Sequence, residues 1–125
     1  MGKRYLIDTN ILIAYSGKIL PEKAHCFVSE IIDIEFNISI INKIEVLGHN
    51  TSGTDIEDFI DLATVFDLNK MVVDKTILLR KDYRIKLPDT IIAATCLVYK
   101  FTLITRNIKD FKNIDDLDIL NPYEL

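Results

Sequence analysis

At 125 residues the chain is long enough for one domain and too short for two of ordinary size, and a domain of this length needs no disulfide or metal staple. An apolar share of 49%, a charged share of 27%, and only four glycines and three prolines exclude disordered and collagen-like classes. A formal net charge of −4 argues against broad, non-specific coating of nucleic acid but leaves room for a local basic strip.

Residues 3–7 read as a short apolar strand and 9–16 as a buried helix ended by Gly17. Pro21 suits the first turn of a second helix, whose Ala24, Phe27, Val28, Ile31 and Ile32 share a face. Residues 36–40 are β-branched and aromatic enough for a strand, and 41–47 have helical spacing that stops at Gly48. HNTSGT at 49–54 is a loop, with the Thr54 hydroxyl placed to cap an acidic helix over 55–67. A strand is expected at 71–73, a helix from 74 or 76 to about 83, and another from 87 to about 100. A strand at 103–104, a polar turn over 106–111 and a last strand at 117–120 complete the order.

Strands alternating with helices predict an α/β fold, with a central parallel sheet of about five strands and helices on both faces, in a single domain over 1–125. In open sheets of this kind ligands bind beyond the carboxyl ends of the strands. Cys26 and Cys96 stand far apart with no metal spacing, and both are expected as buried thiols in a reducing compartment. The N-terminus lacks a small-residue cleavage site, and IIAATCLVY is far short of a membrane span, so the expected location is cytoplasmic with no membrane contact.

The sequence YLIDTNILIAY interrupts an apolar run with Asp8-Thr9-Asn10. Taken alone, Asp8 suits an N-cap and Asn10 a turn. Glu45 falls about 40° from Ile41 on a helical wheel, inside the apolar stripe, where an acid must be ion-paired or metal-bound. Asp89 follows Pro88 at the start of an apolar helix, where capping is an alternative role, and Asp110 in TRNIKDF also reads as a solvated loop acid. Jointly, these four acids fall at the edge of one crevice and would repel unless protonated or bridged by cations. Hard carboxylate oxygens suit Mg²⁺ or Mn²⁺ and phosphate-ester chemistry. With His25 and His49 expected on the surface away from these motifs, zinc is not expected.

The motifs YLIDTNILI, SIINKIEVLG, LPDTIIAAT and TRNIKDF, in this order, resemble a PIN domain, and within that family the small ribonucleases of the VapC toxin type. The resemblance implies a three-layer sandwich and Mg²⁺- or Mn²⁺-dependent endoribonuclease cleavage of RNA that leaves a 5′-phosphate. Carried over by position, Asp8, Glu45, Asp89 and Asp110 would be catalytic metal ligands, Asn10 would orient Asp8, and Thr105 and Asn107 match polar positions after the fourth strand. Many relatives carry a further acid where this chain has Asn107. The family also implies a homodimer and a small antitoxin partner, as the toxin of a toxin–antitoxin pair. Around the acids, Arg80, Arg84, Lys86, Arg106, Lys109 and Lys112 are phosphate-contact candidates, and Tyr83 is a base-stacking candidate. Alternative readings are a PIN-type nuclease of ordinary RNA processing, an aspartate-nucleophile phosphatase, and a non-catalytic RNA-binding or phospho-receiver module.

Overall fold

The computed structural model describes residues 2–49 and 54–125. Strand β1 (Arg4–Ile7) leads through helices α1 (Thr9–Ser16) and α2 (Glu22–Ile34) to β2 (Asn37–Ser39). Helices α3 (Ile40–Leu47) and α4 (Thr54–Asp61) precede β3 (Thr64–Phe66), and α5 (Lys70–Asp82) and α6 (Leu87–Tyr99) precede β4 (Phe101–Ile104). A short helix α7 (Ile108–Phe111), strand β5 (Ile119–Leu120) and a 3-10 turn at Pro122–Glu124 finish the chain. Among the described residues, no helix is long and apolar enough to cross a membrane.

All strand pairing is parallel, as the alternation of strands and helices predicts. The five strands are nevertheless divided: β1, β4 and β5 form one sheet with β4 in the middle, and β2 and β3 form a separate two-stranded sheet. The expected five-stranded central sheet is thus three strands wide. The Asn37 side chain ties the two sheets, donating to the Tyr5 carbonyl at 3.0 Å.

Period-two alternation on apolar strands builds the layers. In β1, Leu6 and Ile7 join different core clusters, and so do Leu103 and Ile104 in β4. The register pairs Leu6 with Leu103 and Ile7 with Ile104, so each face of the sheet presents a matched apolar pair. On the Ile7 face pack α1 and α2 through Ile11, Leu12, Ala24 and Val28, and on the Leu6 face pack α5 and α6 through Val72, Leu79, Ile92 and Ala93.

Several local expectations are corrected. The acidic helix expected over 55–67 ends at Asp61, and the bonds Leu62 N–H to Phe59 O and Ala63 N–H to Ile60 O tighten its exit. Thr64–Phe66 then pairs with β2, because β-branched and aromatic residues there gain an edge to bond. The strand expected at 71–73 is the first turn of α5: Asn69 caps it through Val72 N–H, and Val72 alone of the three is fully buried. The polar turn over 106–111 contains α7, and Cys26, expected to be buried, is exposed, whereas Cys96 is buried. Most of the loop expected at 49–54, and the capping hydroxyl of Thr54, lie outside the described residues and side chains. Gly17 and Gly48 end α1 and α3 as expected, and at Gly48 a Cβ would come within 2.9 Å of the Ile44 carbonyl.

Candidate active site

The parallel register sets the site. Because Ile7 pairs with Ile104, the next residues, Asp8 and Thr105, leave their strands side by side, and Asp8 N–H still bonds the Ile104 carbonyl at 2.9 Å. Asp8 is also the N-cap of α1, its Oδ1 accepting from Thr9 N–H at 2.9 Å. Thr105 Oγ1 donates to Asp8 Oδ2 at 2.7 Å, and Asn42 Nδ2 donates to Asp8 Oδ1 at 3.2 Å. With only 5% of its surface exposed, Asp8 has its carboxyl pushed above the ordinary aspartate value by burial and by the negative field of Glu45. The hydrogen bonds from Thr105, Thr9 N–H and Asn42 act the other way, favouring the carboxylate.

Asn42 is a site residue that the motifs alone do not single out. It belongs to the capping box of α3: Ser39 Oγ accepts from Ile41 and Asn42 N–H, and Asn42 Oδ1 accepts from Ser39 N–H. The Ser-x-x-Asn spacing after a strand is the signal that could have placed it at the helix start. Its reach to Asp8 depends on how α1 and α3 pack.

Glu45 is exposed rather than buried in an apolar stripe. The buried side of α3 runs through Asn42 and Val46 while Ile44 is 61% exposed, so a wheel centred on Ile41 is rotated from the true inward direction. Glu45 accepts a 2.6 Å hydrogen bond from Thr9 Oγ1. Asp8, Glu45 and Asp89 line one open cavity of about 320 Å³ with Thr9, Asn10, Ile13, His49 and Asn107. His49, expected on the surface away from the acids, is exposed but faces this cavity.

Asp89 stands in the first turn of α6, which carries Pro88 as its second residue and has no side-chain cap at Lys86. A helix N-terminus favours an acid by about 0.3–1 kcal/mol. Desolvation, together with the charges of Asp8, Asp110 and Glu45, outweighs that preference and raises Asp89 to about 6, with Lys86 opposing. Asp89 also lines an adjoining groove of about 440 Å³ with Tyr83, Arg84, Lys86, Lys109, Asp110 and Asn113. The fourth acid, Asp110, is therefore in the neighbouring groove, where Asn107 Nδ2 donates to its Oδ2.

Among the described residues, the hydrogen bonds of Asn10 go to Thr105 and Arg106 rather than to Asp8. Asn10 Nδ2 donates to Thr105 Oγ1 at 3.4 Å and its Oδ1 accepts from Arg106 N–H at 3.2 Å, so it bears on Asp8 through Thr105. Asn107 N–H also donates to Thr105 Oγ1, at 3.0 Å. Of the basic candidates, Arg84, Lys86 and Lys109 line the groove. The Arg80 guanidinium instead donates to the Ile85 carbonyl at 2.7 Å, and Arg106 lies 4.1 Å above the Tyr123 ring. Tyr83 is half-buried, its hydroxyl accepting from Asp115 N–H at 3.1 Å.

Among the described residues, no three His, Cys, Asp or Glu side chains are gathered tightly enough to cage one ion. The donors are instead carboxylates spread around an open cavity, where burial first and then the neighbouring negative charges raise Asp89. That set fits a hard, partly hydrated divalent cation held by one or two carboxylates, and does not fit a closed zinc-type centre.

The PIN domain family model matches residues 5–117. No curated protein sequence matches the chain. Among solved structures, a chain of a toxin–antitoxin complex from Klebsiella pneumoniae is 28% identical, with a TM-score of 0.75, covering 97% of this chain and 99% of that one. A chain of VapBC2 from Rickettsia felis, bound to a DNA fragment from its promoter, is 25% identical with a TM-score of 0.77, covering 94% and 97%. A chain of VapBC-1 from nontypeable Haemophilus influenzae is 27% identical with a TM-score of 0.74, covering 94% and 97%. With the family model spanning nearly its whole length, and with three acids meeting at the carboxyl ends of its parallel strands, this chain belongs to the PIN domain family.

Proposed function

We propose that this protein is a Mg²⁺- or Mn²⁺-dependent endoribonuclease of the VapC type, the toxin of a toxin–antitoxin pair. The observation that carries the reading is the meeting of an acidic cavity and a basic groove at Asp89. One or two of Asp8, Glu45 and Asp89 would hold the cation directly and the remaining carboxylate through its bound waters, while Asp110 lines the adjoining groove. A bound divalent ion supplies activation of water at neutral pH and neutralises charge building on the phosphoryl oxygens.

The chain's own residues position the reactants. Thr105, Asn42 and Thr9 N–H fix the Asp8 carboxylate, so its geometry is set before substrate arrives. Arg84, Lys86 and Lys109 contact phosphates of a single strand along the groove, carrying the scissile phosphate to the cavity edge at Asp89. With its carboxyl raised to about 6, Asp89 keeps its proton to higher pH than an ordinary aspartate, so cation and proton compete for it. The burial of Asp8 under three hydrogen bonds disfavours an aspartate-nucleophile phosphatase, whose attacking oxygen must be free to reach a phosphorus atom. The toxin assignment and a small antitoxin partner are supported by the likeness to the Klebsiella, Rickettsia and Haemophilus complexes, as is assembly as a homodimer by resemblance to the family.

Incubating the purified chain with total cellular RNA and Mg²⁺ or Mn²⁺, then mapping new 5′ ends, tests the proposal. New 5′-phosphate ends that vanish with chelator and in Asp8→Asn are expected. Metal-independent cleavage, or full activity in Asp8→Asn, overturns it.

A further inference from the structure

Asn42 is fully buried, and both ends of its amide are bonded: Oδ1 accepts from Ser39 N–H at 2.9 Å, while Nδ2 donates to Asp8 Oδ1 at 3.2 Å and to Thr9 Oγ1 at 3.0 Å. The amide orientation follows from chemistry. The reverse orientation would set a carbonyl oxygen against the Asp8 carboxylate and an NH₂ group against the Ser39 N–H. Because Thr9 Oγ1 accepts from Asn42, its own proton is free to be given away, and it goes to Glu45 Oε1 at 2.6 Å. One buried amide therefore reaches two acids of different helices, Asp8 directly and Glu45 through a hydroxyl.

We propose that Asn42 and Thr9 are positioning residues that lock Asp8 and Glu45 into one relative geometry for a shared divalent cation, an inference that rests on the metal-dependent reading above. Glu45 is on the exposed side of α3, where a glutamate side chain would otherwise sample several rotamers. The Thr9 bond selects one of them, and Asn42 sets the direction of that bond. Without the relay the two carboxylates remain, but the cation must itself supply the free energy of ordering them. Groups that orient ligands in this way change metal affinity or activity by about 10–100-fold when removed.

Thr9→Val is the variant of choice: it keeps the branched shape of a half-buried residue at the start of α1 and deletes only the hydroxyl. Thr9→Ser restores the hydroxyl. On the full chain, Mn²⁺ affinity is measured by calorimetry, RNA cleavage by kcat and KM, and the Glu45 rotamer by crystal structures without metal. Thr9→Val is expected to bind Mn²⁺ about 10-fold or more weaker and to lose kcat with KM for RNA unchanged. Its melting temperature should fall by a few degrees because one Asn42 N–H loses its acceptor, Glu45 should leave its present rotamer, and Thr9→Ser should recover affinity, kcat and melting temperature. Wild-type Mn²⁺ affinity in Thr9→Val, or Thr9→Ser as defective as Thr9→Val, overturns the relay. If the wild-type chain cleaves no RNA, the nuclease reading fails while the Mn²⁺ comparison still decides the relay. If it binds no Mn²⁺ either, a Glu45 rotamer unchanged by Thr9→Val overturns it, and a displaced one upholds the positioning.

Discussion

Thr105 Oγ1 donates a 2.7 Å hydrogen bond to Asp8 Oδ2 across 97 positions of sequence, while accepting from Asn107 N–H at 3.0 Å. Thr105 is fully buried, so Thr105→Val strands a backbone donor and a carboxylate oxygen together. The expected result is a stability loss of about 1–3 kcal/mol in urea unfolding. RNA cleavage should fall by about 10–100-fold, with Thr105→Ser close to wild type. A Thr105→Val chain that cleaves normally would remove this residue from the site.

Asp89 links stability to pH. Its carboxyl is raised from 3.8 to about 6, so the folded chain prefers it neutral. The stability that this preference contributes is complete below 3.8 and is lost as pH rises through about 6, leaving a strained negative cavity above that. Asp89→Asn should therefore melt at a higher temperature than wild type at pH 8 in chelator. The gap should close as the pH falls through 6 toward 3.8. Equal melting temperatures at pH 8 would contradict the assigned cost of burying a charged Asp89 among the other acids.

A divalent cation should reverse the sign of that strain. Mn²⁺ at about 100 times its dissociation constant would add about 2.7 kcal/mol to folding, visible as several degrees of melting temperature. The gain should be larger at pH 7.5 than at pH 5, because at the lower pH protons occupy Asp89. Asp8→Asn should show little gain at either pH. Differential scanning fluorimetry with Mn²⁺, Mg²⁺ and Ca²⁺ measures all three expectations.

The basic groove is tested by salt dependence. Replacing Lys86 and Lys109 with Ala should weaken binding of single-stranded RNA and lower the slope of log affinity against log salt by about 0.7 for each phosphate no longer neutralised. Arg80→Ala should leave the slope unchanged, since its guanidinium holds the Ile85 carbonyl, and should instead lower thermal stability. An unchanged slope in the Lys86/Lys109 variant would place the RNA elsewhere.

The sequence by itself determined the alternation of strands and helices, the glycine stops at 17 and 48, and the place of Asp8 directly after the first strand, because strand-length apolar runs and the residues that end them are local signals. It misplaced the third strand, because Thr64–Phe66 and Met71–Val73 are equally β-prone alone and only pairing with β2 favours the first. Only the tertiary structure decided which way α3 faces, and so that Glu45 opens onto the cavity, that Asn42 reaches Asp8, and that Asp110 stands in the next groove. The reason is physical: local spacing fixes where a side chain sits on its own helix, whereas contact between residues as distant as Asp8 and Thr105 depends on strand register and helix packing, which no short window of sequence contains.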